Sequence, residues 1–196
     1  MGVLIKSTKA WHKLPCAHAQ FFDKNKDGSP GDCASWHGYD RTVKMTFAGD
    51  VDTMGWIMPF GDLKIVKNFI EYYFDHTAVI PANDPRLEKI LESNNSLDLP
   101  MFKARVLPYG VSMEMSSLFI WEQVNPYIVQ STDGRCYLEK VESIEHDSNS
   151  AFVEVDKKTA INQGTNVEKY LICKDIWEYD TPETAIEFHN HNIPST

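Results

Sequence analysis

Between residues 41 and 73 the period of the hydrophobic pattern changes, and this change constrains the fold more than any other feature of the chain. In "RTVKMTFAG" the apolar residues Val43, Met45 and Phe47 alternate with polar ones, as in a strand that buries one face. In "GDLKIVKNFIEYYFDH" Leu63, Val66, Phe69, Ile70 and Tyr73 recur at three- and four-residue spacing, the stripe of an amphipathic helix, with Asp62 placed to cap it. A half-buried sheet followed by such a helix has to pack the two together. The remaining segments fit that frame. Residues 1–20 predict a first strand reaching "LPCAHAQFF", and "GWIMPFGDL" predicts a short strand interrupted by Pro59. "NDPRLEKILESNN" predicts a short helix with proline in its first turn, and "MFKARVLPYG" a strand. "SMEMSSLFIWEQVNPYI" has helical spacing at Met115, Leu118, Phe119 and Val124, while "CYLEKVESIEH" and "SAFVEVDKK" alternate like paired strands. The order strand, strand, helix, helix, strand, helix, strand, strand predicts an α+β fold: an antiparallel sheet with helices on one face.

The chain has 196 residues and is 42% hydrophobic, enough for one cored domain. We place that domain at residues 1–156 and read the more polar 157–196, whose only apolar block is "KYLICKDIWEY", as a C-terminal extension. A net charge of −9 argues against nucleic acid as a partner, because phosphate backbones need clustered Lys and Arg. No apolar run approaches a membrane span, and "MGVLIKSTKAWHKLP" lacks the apolar core of a secretory signal, so a cytoplasmic location is expected. Cysteines at 16, 33, 136 and 173 form no CxxC pair, and free thiols are expected in a reducing compartment.

Several residues carry chemistry. His18 in "CAHAQ" and His37 in "SWHGYD" each lie on or beside a predicted strand, and two imidazoles aimed at one face suit zinc. Positions 37 and 39 point to the same side of a strand, which makes Tyr39 the expected third donor. In "FDHT", Asp75 can orient His76 and raise its basicity for proton transfer. "DKNKDG" at 23–28 opens like a calcium loop, but Ala34 stands where the closing bidentate Glu belongs, so the segment reads as a solvated turn.

In order along the chain these pieces resemble the 6-pyruvoyl-tetrahydropterin synthase and 6-carboxy-tetrahydropterin synthase family. "LPCAH" supplies His18, "CASWHGY" supplies Cys33, His37 and Gly38, and "FDHTAVI" supplies Asp75 and His76. "YGVSMEMSSLFIW" places Glu114 in the helix slot, and "VESIEHDSNSAFVE" places Glu145 in the last-strand slot. Where the family has His-Gly-His, this chain has His37-Gly38-Tyr39, so either the phenol replaces an imidazole, or Asp40 or another group moves in, or the site binds metal weakly.

The resemblance implies the tunnelling fold (T-fold), with a four-stranded antiparallel sheet and a barrel closed by oligomerisation, commonly as a hexamer with sites at subunit interfaces. It implies zinc held by His18, His37 and Tyr39, a pterin substrate gripped by Glu145 with Glu114, and proton transfers by Cys33, Asp75 and His76. The leading function it implies is a 6-carboxy-tetrahydropterin synthase acting on 7,8-dihydroneopterin triphosphate, a lyase step toward 7-deazaguanine (preQ0 and queuosine-type) bases. The alternatives are a 6-pyruvoyl-tetrahydropterin synthase and a non-catalytic pterin- or purine-binding protein that lost the metal.

Overall fold

Two long strands, β1 (Ile5–His18) and β2 (His37–Gly49), pair antiparallel from Ile5 opposite Gly49 to His18 opposite His37. This is a computed structural model, and it describes residues 4–96, 98–168 and 172. β2 alternates as its sequence predicts: Arg41, Val43, Met45 and Phe47 are buried. β1 changes phase midway. Residues 12 and 13 bulge between Trp11 opposite Val43 and Leu14 opposite Arg41, with Lys13 at φ 59°. Before the bulge the odd residue Trp11 is buried, and after it the even residues Leu14, Cys16 and His18 are. One extra residue reverses which face a side chain takes. The bulge is therefore what brings His18 to the face that carries His37.

After β2, the expected "GWIMPFGDL" strand is absent. Ile57 and Met58 are buried there, but in a turn-rich loop whose Trp56 and Ile57 carbonyls accept hydrogen bonds from Arg135 Nη1. Helix α1 (Lys64–Phe74) then buries Val66, Phe69, Ile70 and Tyr73, continuing the predicted stripe from Leu63. Its N-cap position is Leu63, and Asp62 makes no capping bond. β3 (Thr77–Pro81), α2 (Leu87–Asn95) and β4 (Lys103–Leu107) follow, then α3 (Met113–Ser131), capped by Ser112, whose hydroxyl accepts from the Met115 N–H. β5 (Cys136–His146) and β6 (Asn149–Glu154) complete the sheet. Helix α4 (Lys157–Asn166), which the sequence pattern does not announce, lies against α3 through Asn125 Nδ2 donating to Ala160 O and Gln130 Nε2 donating to Gly164 O.

The fold is α+β, but among the described residues the sheet has six strands rather than four, in the order β4-β3-β1-β2-β5-β6. β1, β2, β5 and β6 form the expected antiparallel set, and β3 and β4 add to it in parallel. All five residues of β3 are buried. Val79 belongs to the main core with α1 and α3, while Ile80 packs with Leu87 and Leu91 of α2. Alternation then puts α2 on the opposite face of the sheet from α1. A strand covered on both faces is uniformly apolar, as parallel strands usually are, so "TAVIP" shows no alternation to detect. Among the described residues, no helix is long and apolar enough to cross a membrane.

Candidate active site

His18 and His37 close the β1–β2 ladder as a directly opposed pair, with ring centroids 4.3 Å apart. Gly38 allows this approach, because a Cβ there would lie 3.0 Å from the Cys16 carbonyl oxygen and 3.1 Å from the Ala17 Cα. His37 Nδ1 lies 2.7 Å from the Ser35 carbonyl, which can only accept. That bond fixes the proton on Nδ1 and leaves the Nε2 lone pair free. His18 is buried and its Nδ1 has no hydrogen-bond partner, while its Nε2 sits 3.6 Å from Glu145 Oε1. Glu145 stands one residue beyond the Thr42–Ile144 pair of β2 and β5. One donor atom from each of His18, His37 and Glu145 falls within 4.8 Å of the others.

The His18 imidazole is held neutral. Burial, then the charge of Arg41, then His37 push its pKa down to about 3. Arg41 is itself 1% exposed, points inward from β2, and makes long contacts from Nη1 to Ser116 Oγ (3.3 Å) and from Nη2 to the Val111 carbonyl (3.5 Å). The consequence for stability has a definite sign. The unfolded chain takes up the His18 proton near pH 6.5 and the folded chain only near 3, so this contribution is complete above 6.5 and is lost as pH falls through that window. In urea titrations the metal-free protein should lose up to about 1.4 kcal/mol per pH unit from this group. His18→Gln, which cannot titrate, should show a correspondingly flatter pH dependence, and equal slopes for the two proteins would refute the assignment.

His18, His37 and Glu145, together with Cys33 and Glu114, line a cavity of about 400 Å³. Cys33 is exposed, whereas Cys16 and Cys136 are buried; Cys173 lies outside the described residues. The Asp-rich loop serves Cys33 directly, since Asp23 Oδ2 accepts from its backbone N–H at 3.1 Å. Gly31 leaves room for that contact, as a Cβ there would fall 1.9 Å from the same oxygen. Glu114 projects from the first turn of α3.

Tyr39 and His76 lie elsewhere. Both line a second, more apolar cavity of about 730 Å³ with Asp40, Trp36 and Phe102. The Tyr39 ring centroid is 6.1 Å from that of His37. Glu145, to which the resemblance assigns the substrate, is brought to the two imidazoles, and Tyr39 lines the other cavity. His76 turns the chain from α1 into β3 at φ 56°, and its N–H donates to the Pro15 carbonyl. Its Nδ1 is 2.7 Å from Asp75 Oδ1, and the side chain is 74% exposed. That pairing leaves Nε2 facing solvent.

Sequence reasoning passed over Arg41 and His146. The signal for Arg41 is a charged residue at an inward position of an alternating strand. The signal for His146 is its place beside Glu145; His146 Nε2 is 3.9 Å from Glu145 Oε2.

Two imidazoles and a carboxylate, with an orphaned buried nitrogen among them, form a donor set that suits zinc with a fourth position left open. A family model described as 6-pyruvoyl tetrahydropterin synthase matches residues 7–156. No curated protein matches the chain. Among solved structures, an uncharacterized protein from Wolinella succinogenes superposes with a TM-score of 0.66 at 18% identity, covering 79% of this chain and 100% of that one. A catalytic-residue mutant of the Plasmodium vivax 6-pyruvoyltetrahydropterin synthase superposes at 0.56 with 17% identity, covering 79% and 99%. The Plasmodium falciparum 6-pyruvoyl tetrahydropterin synthase gives 0.50 and 17%, covering 76% and 96%. At these identities the superpositions speak for the fold.

Proposed function

We propose that this chain, which belongs to the 6-pyruvoyl tetrahydropterin synthase family, is a zinc-dependent carbon–oxygen lyase of the 6-carboxy-tetrahydropterin synthase type, acting on 7,8-dihydroneopterin triphosphate. The observation that carries this reading is the convergence of His18, His37 and Glu145 in one cavity with Cys33. His18 and His37 would hold the ion, and Glu145 would offset part of its charge. Zinc bound there would supply a Lewis acid for the hydroxyls of the pterin side chain.

The other residues bind and move protons. Cys33, exposed in the same cavity, removes a proton from the side-chain carbon next to the ring. Glu114 grips the N–C–N edge of the pterin through paired, charge-assisted hydrogen bonds. This substrate role falls to Glu114 because the Glu145 carboxylate lies among the metal donors. His76, oriented by Asp75, returns or removes the second proton. Within one copy His76 opens into a different cavity from Cys33. We therefore place the working site between copies of a homo-oligomer, a hexamer in the family's pattern. The product feeds 7-deazaguanine synthesis, in a cytoplasmic setting.

The test is direct. Protein purified without chelator should carry near-stoichiometric zinc by elemental analysis and convert 7,8-dihydroneopterin triphosphate to the 6-carboxy product. A 6-pyruvoyl product would reassign the lyase type. Zinc-loaded protein that binds the pterin without converting it would leave a pterin-binding protein, and protein without zinc would remove the metal reading.

A further inference from the structure

We propose that Trp36 and Phe102 form an aromatic wall that takes the flat face of the pterin ring beside His76, and that helix α2 holds this wall in place. The inference rests on the reading of the chain as a pterin enzyme whose His76 exchanges a proton with the substrate. If His76 reaches the substrate, the cavity that His76 lines faces the substrate too.

That cavity, of about 730 Å³, has the size of a small-molecule site. Trp36, Tyr39 and Met101 line it while standing 43%, 41% and 65% exposed. Scattered singly, such side chains would mean little; gathered around one cavity, they mark a binding surface. The Trp36 and Phe102 rings lie 5.8 Å apart at 39° to each other. Trp36 immediately precedes His37, so one dipeptide supplies a wall to the Trp36 cavity and a donor to the Cys33 cavity. Phe102 is fixed from the other side. Asn94, buried on α2, donates from Nδ2 to the Phe102 carbonyl at 3.1 Å and accepts the Phe102 N–H on Oδ1 at 3.2 Å. An amide spent at both ends on one residue's backbone sets where that residue's ring stands. A wall held in advance loses little freedom when a ligand arrives.

The polar groups decide which part of the substrate enters. Thr77 spends its hydroxyl on the Tyr73 carbonyl. Asp40 adds an exposed carboxylate to the lining, and Asp75 stands behind His76. Two carboxylates repel a triphosphate, whereas aromatic walls accept an uncharged ring. The ring therefore enters and the phosphates stay outside.

Equilibrium binding of 7,8-dihydroneopterin, which lacks the triphosphate, tests this on the zinc-loaded full chain without turnover. Trp36→Ala should weaken binding roughly 10- to 100-fold, the range for losing one aromatic stacking partner. Trp36→Phe keeps a flat face and should recover most of the affinity. It should also lose most of the quenching of protein fluorescence by bound pterin, because the indole at position 36 is the one in contact with the ring. Trp36 is 43% exposed, so both variants should melt like wild type and carry the same zinc. Wild-type affinity in Trp36→Ala would overturn the proposal, and so would undiminished quenching in Trp36→Phe. Wild type that binds no pterin, whatever its zinc content, would instead remove the pterin function and this inference with it.

Discussion

His37→Ala is expected to purify essentially free of zinc. The variant leaves His18 and Glu145, and two donors hold a divalent ion poorly because each protein ligand carries a large share of the binding free energy. If three ligands share about 10 kcal/mol, losing one costs on the order of 3 kcal/mol, or roughly 100-fold in affinity. The substitution isolates this effect well. His37 sits at the first position of β2, partly exposed, and among the described residues its only side-chain hydrogen bond is to the Ser35 carbonyl two residues earlier. Its removal therefore takes little from the core. Elemental analysis and chelator competition give the readout. A variant that retains stoichiometric zinc would take His37 out of the ligand set.

His76→Ala should slow turnover by about 100-fold or more and leave pterin binding largely intact, the pattern of a lost general acid–base group. The geometry leaves this imidazole open to partners outside its own chain segment. Asp75 holds Nδ1, the backbone is fixed by its left-handed turn and its bond to Pro15, and the imidazole is otherwise open. Since His76 and Cys33 open into separate cavities of one copy, a site shared between copies makes a second demand. Mixed and reassembled subunits of Cys33→Ala and His76→Ala should recover activity that neither variant has alone. Full activity in His76→Ala would remove the residue from the chemistry. Failure of the mixture to recover any activity would confine the site to one copy.

The order of elements was legible in the sequence wherever one face of an element is buried and the other wet. Val43, Met45 and Phe47 announce β2, and Val66, Phe69, Ile70 and Tyr73 announce α1, because burial on one side writes a period into the chain. β3 was not legible, for the complementary reason: the main core and α2 cover its two faces, so nothing alternates. "GWIMPFGDL" misled because Ile57 and Met58 are apolar and buried, yet their backbone answers to Arg135 across the fold rather than to a neighbouring strand.

The candidate site divides in the same way. The sequence by itself determined which residue types are present and in what order: the histidines at 18 and 37, the thiol at 33, the Asp75–His76 pair, and the carboxylates at 114 and 145. Tertiary structure decided which of them meet. A bulge at residues 12 and 13, with no unusual residue to mark it, turns His18 toward His37. The pairing of β2 with β5, some hundred residues apart in the chain, brings Glu145 to the imidazoles while Tyr39 faces the second cavity. Spacing along one strand fixes which side a residue takes relative to its near neighbours. Glu145 comes from another strand, and only long-range register decides that it meets the imidazoles.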